Sequence, residues 1–161
     1  MEKQKYTAIV LAAGSGKRMN SKVHKQYLII QDRPVLYYSL KAFEDSAVDE
    51  IVLVVGKGEE KFCRKEIVDK YGISKVKAIV EGGKERYHSV FEGLKQTSDA
   101  DYVLIHDGAR PFVNQDIIRR CMQEVQKYQA CVVGMPVKDT IKIADEEGYA
   151  KQTPDRKNVW M

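Results

Sequence analysis

The sequence predicts an α/β fold: a mostly parallel β-sheet with helices on both faces and a protruding β-hairpin arm. Two patterns support this prediction. Short apolar runs of strand length alternate with amphipathic stretches of helical period through most of the chain. Repeated strand–helix units of this kind place their strands in parallel. From residue 138 to 161 the pattern changes to a higher charge density and a short alternating run, which is typical of an exposed hairpin.

The strands of the sheet are predicted from continuous apolar runs, as expected for strands buried on both faces. The predicted strands of the sheet are residues 7–11, 51–55, 76–80, 102–105 and 131–136, and residues 27–30 are predicted to form a further short strand. The predicted helices cover residues 35–43, 59–71, 85–96 and 115–128. Pro34 suits the first turn of the first helix, and Gly72 ends the second. We expect one domain over residues 1–161, in which residues 138–161 form the arm with a turn at 145–148.

Length, charge and cysteine content exclude several classes of protein. The chain has 161 residues and a net charge of +4. It has no run of about 20 apolar residues that could span a bilayer, and no secretory signal. We therefore predict a cytoplasmic protein with no membrane partner. Without a basic helix, so small a charge does not indicate nucleic-acid binding but suits anionic small substrates. The 3 widely spaced cysteines are expected to be reduced.

A glycine-rich loop, residues 11–19, follows the first predicted strand. Gly14 and Gly16 allow backbone conformations in which consecutive N–H groups turn inward around an anion. Lys17 and Arg18 add positive charge at the same place. Because parallel sheets bind ligands beyond the carboxyl ends of their strands, the loop indicates a phosphate site. A plain strand-to-helix turn is the alternative.

Two familiar phosphate-binding loops do not match this one. A dinucleotide-binding fingerprint would need a third glycine at the position of Met19. A Walker A loop would need glycine in place of Leu11 and serine or threonine in place of Arg18. The loop therefore indicates another class of nucleotide site.

More basic residues follow the loop, among them Lys22 and Lys25. Dense positive charge suits a triphosphate, because nucleotidyl transfer depends mainly on positioning and on neutralising negative charge. We single out Lys25, since Tyr27 and the strand after it would anchor its backbone. A solvated basic loop is the alternative.

Asp107 ends a predicted strand and precedes Arg110 in the run HDGARPF. A carboxylate there could hold Mg²⁺, which takes one or two carboxylates together with substrate phosphates. Arg110 could bind a phosphate or pair with Asp107, and an ion pair that only shapes a turn is the alternative. His106 is expected to form local contacts rather than to be a metal ligand.

A pair of glycines, Gly82 and Gly83, follows the third strand of the sheet, with Ser89 nearby. Paired glycines let backbone groups approach a flat base, and the hydroxyl of Ser89 could add a hydrogen bond. Glycine pairs are also common in ordinary turns. The pair gains weight because it belongs to the same edge of the sheet as the other motifs.

These motifs in this order resemble the 2-C-methyl-D-erythritol 4-phosphate cytidylyltransferase family. The resemblance is carried by LAAGSGKRM with KQY, by GGKERYHSV, by HDGARPF, and by VKDT and TPDR in the arm, and it extends from about residue 6 to the end of the chain. It implies a Rossmann-like nucleotidyltransferase sheet. It also implies transfer of CMP from CTP to 2-C-methyl-D-erythritol 4-phosphate, with release of pyrophosphate, in non-mevalonate isoprenoid precursor synthesis.

The resemblance also implies a role for each matching residue. The implied catalytic residues are Arg18, Lys25 and Arg156. Implied contacts to nucleotide or polyol phosphate come from Ala12, Ala13, Gly14, Gly16, Gly83, Arg86, Ser89, Arg110 and Thr140. Arg18 and Lys25 would stabilise the pentacoordinate α-phosphate, and Asp107 would bind Mg²⁺. Arg156 would reach from the arm into the site of a neighbouring subunit, in a homodimer formed through the arm.

The chain departs from the family pattern in length, because members of the family continue beyond the arm. We therefore expect a C-terminally truncated chain with reduced or no activity. Lys84 stands where some relatives have an acidic residue, which weakens the ribose contacts expected there.

Other functions stay open. One alternative is a ribitol 5-phosphate-type cytidylyltransferase, although the LAAG start and the Gly108-Ala109 pair favour the first assignment. Another is a nucleotide-binding fragment without catalysis. A structural or nucleic-acid-binding protein has only the basic isoelectric point in its favour.

Overall fold

The computed structural model describes residues 3–14 and 23–161. The chain divides into two compact units, Met1–Gln129 and Ala130–Met161, and each is described by itself. The predicted arm, residues 138–161, belongs to the second unit. The prediction of a single domain stays a prediction.

The described residues form eight β-strands and four α-helices. The strands are β1 (Tyr6–Ala12), β2 (Ile29–Ile30), β3 (Arg33–Pro34), β4 (Glu50–Val55), β5 (Val76–Glu81), β6 (Tyr102–Asp107), β7 (Ile143–Ala144) and β8 (Ala150–Gln152). The helices are α1 (Val35–Glu44), α2 (Glu60–Cys63), α3 (Arg86–Leu94) and α4 (Gln115–Tyr128). The helix α2 continues as a π-helix, Arg64–Asp69, and two short 3₁₀ helices lie at Lys25–Tyr27 and Arg156–Asn158.

A four-stranded sheet is the centre of the first unit, with the strand order β5-β4-β1-β6. Each pairing in it is parallel. In β1, Thr7 lies opposite Glu50 of β4 and Val103 of β6. The carboxyl ends of the four strands therefore lie at one edge of the sheet, the carboxyl edge. The predicted mostly parallel α/β fold is confirmed.

The two faces of the sheet are covered by different helices. On one face, side chains of α1 and α2 such as Leu36, Leu40 and Cys63 pack with Val10 and Leu53 in a buried cluster. Each fully buried aliphatic side chain of this kind contributes about 1.5–3 kcal/mol.

The opposite face of the sheet lies under α3. A Cβ atom on Gly93 would lie 2.6 Å from Cγ2 of Ile9 and 3.2 Å from Cγ2 of Val54. Glycine at this position therefore lets the helix approach the sheet closely. Helices on both faces were predicted, and this placement confirms them.

Local sequence explains where the helices begin and end. Pro34 caps α1 with an extended backbone, as its fixed φ allows. The segment after α2 ends at Gly72, which has a φ of +64° that glycine adopts easily. The side chain of Asn114 accepts a hydrogen bond from the N–H of Ile117 and begins α4. None of the helices among the described residues is long and apolar enough to cross a membrane.

The strand predicted at residues 27–30 is only partly correct. Residues 25–27 form a 3₁₀ helix, and only Ile29 and Ile30 form a strand. This strand pairs with Arg33 and Pro34 in an antiparallel hairpin outside the main sheet. Gln31 and Asp32 form the turn with φ values of 47° and 65°. Because this turn reverses the chain, Ile29 and Ile30 pair with Arg33 and Pro34 and do not join the parallel sheet.

The second unit contains a hairpin in which β7 and β8 pair antiparallel around a turn at 145–148. Gly148, with a φ of +90°, makes this turn possible. The hairpin predicted for the arm is confirmed.

The strand predicted at residues 131–136 is wrong, since the described structure contains no named strand there. Instead, Met135 exchanges backbone hydrogen bonds of 2.8 and 2.9 Å with Met161, and the N–H of Val137 donates to Val159. Pro136 and Trp160 form an isolated antiparallel bridge. Residues 131–136 thus pair with the last segment of the second unit through a few backbone bonds, and they do not form a regular strand.

Candidate functional site

The loops that follow β1 and β5 meet at the carboxyl edge. The N–H of Gly82 donates to the carbonyl of Val55 at the end of β4, at 2.8 Å. A Cβ atom on Gly82 would lie 2.5 Å from Cβ of Ala13 and 2.6 Å from Oγ of Ser89. Only glycine fits so close an approach. The structure thus brings together the ends of three strands and the beginning of the glycine-rich loop.

The turn after β5 is held by the first residues of α3. The N–H of Gly83 donates to Oγ of Ser89 at 3.2 Å, and Ser89 is buried. The N–H of Glu85 donates to Nδ1 of His88 at 3.3 Å, as part of a capping box. Ser89 therefore shapes the turn in this structure, and its predicted contact with the nucleotide stays a prediction.

Gln26 connects the segment that carries Lys25 to the beginning of the glycine-rich loop. Its side chain is 1% exposed, and Nε2 donates to the carbonyls of Ala12 at 2.6 Å and Gly14 at 3.2 Å. Leaving a buried carbonyl unpaired costs about 1–3 kcal/mol, so this contact stabilises the position of Ala12, where the loop begins. This contact could not be predicted from the sequence, because a polar residue in a basic segment is normally expected to face water.

Lys25 itself is exposed on the 3₁₀ helix next to this contact. It lies within one residue of Gln26 and hence beside the beginning of the glycine-rich loop. The remainder of the predicted phosphate site, Gly16, Lys17 and Arg18, lies outside the described residues. Ala12, Ala13 and Gly14 are described, and they lead directly from β1 toward it.

Asp107 lies between two arginines at the end of β6. Its Oδ1 accepts from Nε and Nη2 of Arg86 at 3.1 and 2.9 Å, and its Oδ2 accepts from Nε of Arg110 at 3.0 Å. Partial burial opposes ionisation of Asp107, but the hydrogen bond and charge of Arg86, together with the charge of Arg110, outweigh it and lower its pKa. Asp107 is therefore a carboxylate at neutral pH. The ion pair with Arg110 that the sequence left open is present.

Ser39 of α1 binds the backbone of the turn that follows Asp107. Its Oγ, fully buried, lies 3.0 Å from the carbonyl of Gly108 and 3.2 Å from that of Arg110. The N–H of Gly108 donates to the carbonyl of Leu11 at 2.7 Å, which joins this turn to β1. Ser39 contributes from 69 residues away along the chain, so no local motif could have indicated it.

His106 forms the local contacts expected of it. Its Nε2 lies 3.0 Å from the carbonyl of Arg110, and its ring packs against Phe43. Burial lowers the pKa of His106, so the neutral ring is favoured, with Nε2 as the donor to the carbonyl.

The remaining predicted residues, Thr140 and Arg156, belong to the second unit and are exposed. Nη1 of Arg156 donates to the carbonyl of Lys138 at 2.8 Å. This hydrogen bond holds the guanidinium against the beginning of the arm.

Asp107 is the carboxylate predicted to hold a metal ion at the carboxyl edge. Among residues 3–14 and 23–161, no three His, Cys, Asp or Glu side chains are grouped so as to hold a metal. Oδ2 of Asp107 accepts one hydrogen bond from Arg110 and has a second lone pair, with which it could hold Mg²⁺, an ion that commonly takes one or two carboxylates and completes its shell with water and substrate phosphates. Two cavities of about 440 and 480 Å³ lie away from this carboxylate, one beside Arg33 and the other beside Met122.

Cys63 lies beneath Tyr27, whose hydroxyl is 3.1 Å from its Sγ. Burial is the main cause that raises the pKa of the Cys63 thiol to about 11. Only the thiolate reacts quickly with alkylating reagents. We therefore expect iodoacetamide at pH 8 to label Cys63 at least about 100-fold more slowly than the exposed Cys131, as followed by peptide mass spectrometry. In urea the two rates should converge, whereas equal rates in the native protein would contradict the burial described here.

The parallel sheet, the glycine-rich loop after its first strand and the carboxylate at the same edge define an α/β nucleotidyltransferase. Comparison with known proteins identifies the particular family. The model of the 2-C-methyl-D-erythritol 4-phosphate cytidylyltransferase family matches residues 6–161, and the chain belongs to this family.

Individual proteins of this family are similar to the chain in sequence and in structure. The chain is 53% identical over 157 residues to the 2-C-methyl-D-erythritol 4-phosphate cytidylyltransferase of Lachnoclostridium phytofermentans, covering 98% of this chain and 67% of the relative. It is 56% identical over 156 residues to that of Lachnospira eligens, covering 96% and 68%. The crystal structure of 4-diphosphocytidyl-2C-methyl-D-erythritol synthase from Anaerococcus prevotii has a TM-score of 0.83 at 34% identity, covering 98% of this chain and 66% of that one. The chain thus spans about two thirds of the length of these relatives.

Membership confirms the family and the enzyme class predicted from the motifs. The family reaction is CTP-dependent cytidylyl transfer to 2-C-methyl-D-erythritol 4-phosphate in isoprenoid synthesis, and the predicted function is confirmed at the level of the family. The ribitol phosphate alternative is not favoured.

Proposed function

We propose that the carboxyl edge of the sheet binds CTP, and that this 161-residue chain itself takes part in transferring CMP to 2-C-methyl-D-erythritol 4-phosphate. The observation that carries the proposal is the meeting of three features at one edge. These are the beginning of the glycine-rich loop at Ala13, the close turn at Gly82, and the ionised carboxylate of Asp107.

The nucleotide half of the site is assigned to backbone groups. Ala12, Ala13, Gly14 and Gly83 would line the cytosine and ribose, where the absence of large side chains lets a flat base approach the main chain. Gly16 and Arg18 would hold the triphosphate. The close approach of Gly82 to Ala13 supports this assignment, because it brings the main chain after β5 next to the main chain after β1.

Asp107 is the residue that would hold Mg²⁺ when the metal enters with CTP. Bound there, the ion would supply positive charge to the phosphate oxygens and help pyrophosphate to leave. Arg86 and Arg110 form ion pairs with Asp107, so their charges lie beside the proposed metal position, where the phosphates would bind. We assign Arg86 to the nucleotide and Arg110 to the polyol phosphate.

In the proposed reaction, a phosphate oxygen of the methylerythritol phosphate attacks the α-phosphorus of CTP in line with the leaving group. A new phosphorus–oxygen bond forms, the bond between the α-phosphorus and the bridging oxygen breaks, and pyrophosphate leaves with its electron pair. Negative charge gathers on the α-phosphate oxygens in the transition state, and Lys25 and Arg18 neutralise it. Thr140 and Arg156 bind the methylerythritol phosphate.

Two further features belong to this proposal. The chain forms a homodimer through its arm, so that Arg156 of one subunit completes the site of the other, and it works in the cytoplasm. Sedimentation should then give twice the mass of the 18.4 kDa chain. A monomer that transfers CMP would contradict the shared site.

The direct test is to incubate the chain with CTP, MgCl₂ and either 2-C-methyl-D-erythritol 4-phosphate or ribitol 5-phosphate. Pyrophosphate release and formation of the CDP-alcohol are followed, with EDTA as the control. The proposal expects metal-dependent turnover of the methylerythritol phosphate only. Turnover of ribitol phosphate alone would overturn the assigned substrate, and calorimetric binding of CTP without turnover would instead favour a nucleotide-binding fragment.

A further inference from the structure

Glu59 binds two residues on either side of Lys25, His24 and Tyr27, with a single carboxylate. It lies in the loop between β4 and α2, at the carboxyl edge of the sheet. Its Oε1 is 3.0 Å from Nδ1 of His24, and its Oε2 accepts from the hydroxyl of Tyr27 at 2.7 Å. Glu59 thus contacts the residue before Lys25 and the residue two positions after it.

The loop of Glu59 is itself shaped for this contact. The N–H of Gly56 donates to Oε2 of Glu59 at 3.0 Å, so the side chain folds back over the end of β4. A Cβ atom on Gly56 would lie 2.7 Å from the same oxygen. Glycine at position 56 therefore leaves room for the carboxylate to turn toward the segment of Lys25.

The backbone around Lys25 is held from several sides. The N–H of Tyr27 donates to the carbonyl of His24 at 2.9 Å, and the N–H of Leu28 donates to the carbonyl of Lys25 at 3.3 Å. On the other side, Gln26 is bonded to the carbonyls that begin the glycine-rich loop. Between these contacts the side chain of Lys25 remains exposed.

The contacts of Glu59 lie in a partly buried region. The side chain of Glu59 is only 21% exposed, and the ring of Tyr27 packs edge-on against Phe62 at 5.3 Å. Burial, the Cys63 contact and Glu59 raise the pKa of Tyr27, so its hydroxyl stays a donor. A hydrogen bond to a charged acceptor is stronger than one between neutral groups, so the contact of Tyr27 with Glu59 holds both side chains in place.

We infer that Glu59 is a positioning residue, which holds Lys25 at the edge of the nucleotide site through His24 and Tyr27. The inference rests on the proposed role of Lys25 toward the phosphates of CTP. Glu59 acts by limiting the positions that the Lys25 backbone can take, because displacement of a charged group by about 1 Å can cost a large factor in rate or affinity.

The test is a double-mutant cycle on CTP binding, measured by calorimetry with Mg²⁺ on the 161-residue chain. Glu59→Ala is expected to weaken binding about tenfold in the wild-type chain, and to have no further effect in the Lys25→Ala chain. Glu59→Gln should stay close to wild type, since its amide can still accept from Tyr27 and donate to His24. Glu60→Ala, which removes the same charge one residue further on, is the matched control and should have little effect.

Hydrogen exchange provides a readout that does not depend on the nucleotide. In Glu59→Ala, the amides of Tyr27 and Leu28 should exchange at least about tenfold faster, while those of Leu53 in the sheet keep their protection. Unchanged exchange at Tyr27 and Leu28, or independent and additive losses of CTP affinity in the double mutant, would overturn the inference. Should the wild-type chain fail to bind CTP, the proposed nucleotide site is wrong, and hydrogen exchange alone decides whether Glu59 holds the segment.

Discussion

Replacing Lys25 by alanine is expected to lower the rate of CMP transfer by about 100- to 1000-fold. The reason is that its ammonium group would meet the charge that develops on the α-phosphate, an interaction made more strongly in the transition state than in the ground state. The melting temperature should change little, because the side chain is exposed and lies outside the core. Steady-state kinetics of pyrophosphate release and a thermal scan measure the two effects.

Lys57 provides the matched control for this variant. It is another exposed lysine, in the loop that follows β4 at the carboxyl edge. Lys57→Ala removes the same charge and should leave kcat within about twofold of wild type, as surface changes away from a site usually do. Equal losses in both variants would mean that general positive charge at this edge matters, and that Lys25 has no particular role.

Much of the fold could be predicted from the sequence because the sheet is so deeply buried. The residues from Ile51 to Val55 are all fully buried, and their continuous apolar run identified β4 within one residue. The helix α4 was predicted over the same residues that form it, and in the structure Asn114 caps its beginning. Burial and local capping are properties that a single sequence displays directly.

The incorrect strand predictions have a common cause. Residues 131–136 form an apolar run that resembles a sheet strand, yet Met135 pairs with Met161. Residues 27–30 were predicted as one strand, but Gln31 and Asp32 turn the chain into a two-residue hairpin. A strand is defined by its partner, and the apolar period of one segment contains no information about which segment that is.

The candidate site was predictable only in part, for a related reason. Asp107 and Gly83 could be placed together because the ends of parallel strands must meet at one edge. Other contacts of the site join residues that are far apart in the sequence. Glu59 binds Tyr27, 32 positions away, and Arg86 binds Asp107, 21 positions away. No spacing rule connects such positions, so these contacts required the structure.

Asp107→Asn is expected to reduce CMP transfer by about 100- to 1000-fold at low Mg²⁺, because a neutral amide is a poor ligand for this ion. Raising MgCl₂ should recover part of the rate if the carboxylate serves to hold the metal. A titration of initial rate against MgCl₂ gives the apparent metal affinity for both proteins. Loss of rate without any change in the metal dependence would contradict the assigned role and would favour an ion pair that only shapes the turn.

The same substitution should have a small, pH-dependent effect on stability. Arg86 and Arg110 lower the pKa of Asp107 in the folded protein, so its charge stabilises the fold above the unfolded value of about 3.9. This contribution is lost as the pH falls from there through the folded pKa. The side chain is 32% exposed, and solvent screening limits the difference to less than about 1 kcal/mol at neutral pH.

Asp116 offers a control of the same chemistry at another place. Its carboxylate also pairs with two arginines, Arg119 and Arg120, but on the exposed surface of α4. Asp116→Asn should leave both the rate and its dependence on Mg²⁺ unchanged. That result would show that a carboxylate between two arginines is not sufficient for metal-dependent transfer. If Asp107 alone shows the metal effect, its position at the carboxyl edge, beside the loops of β1 and β5, is what makes the difference.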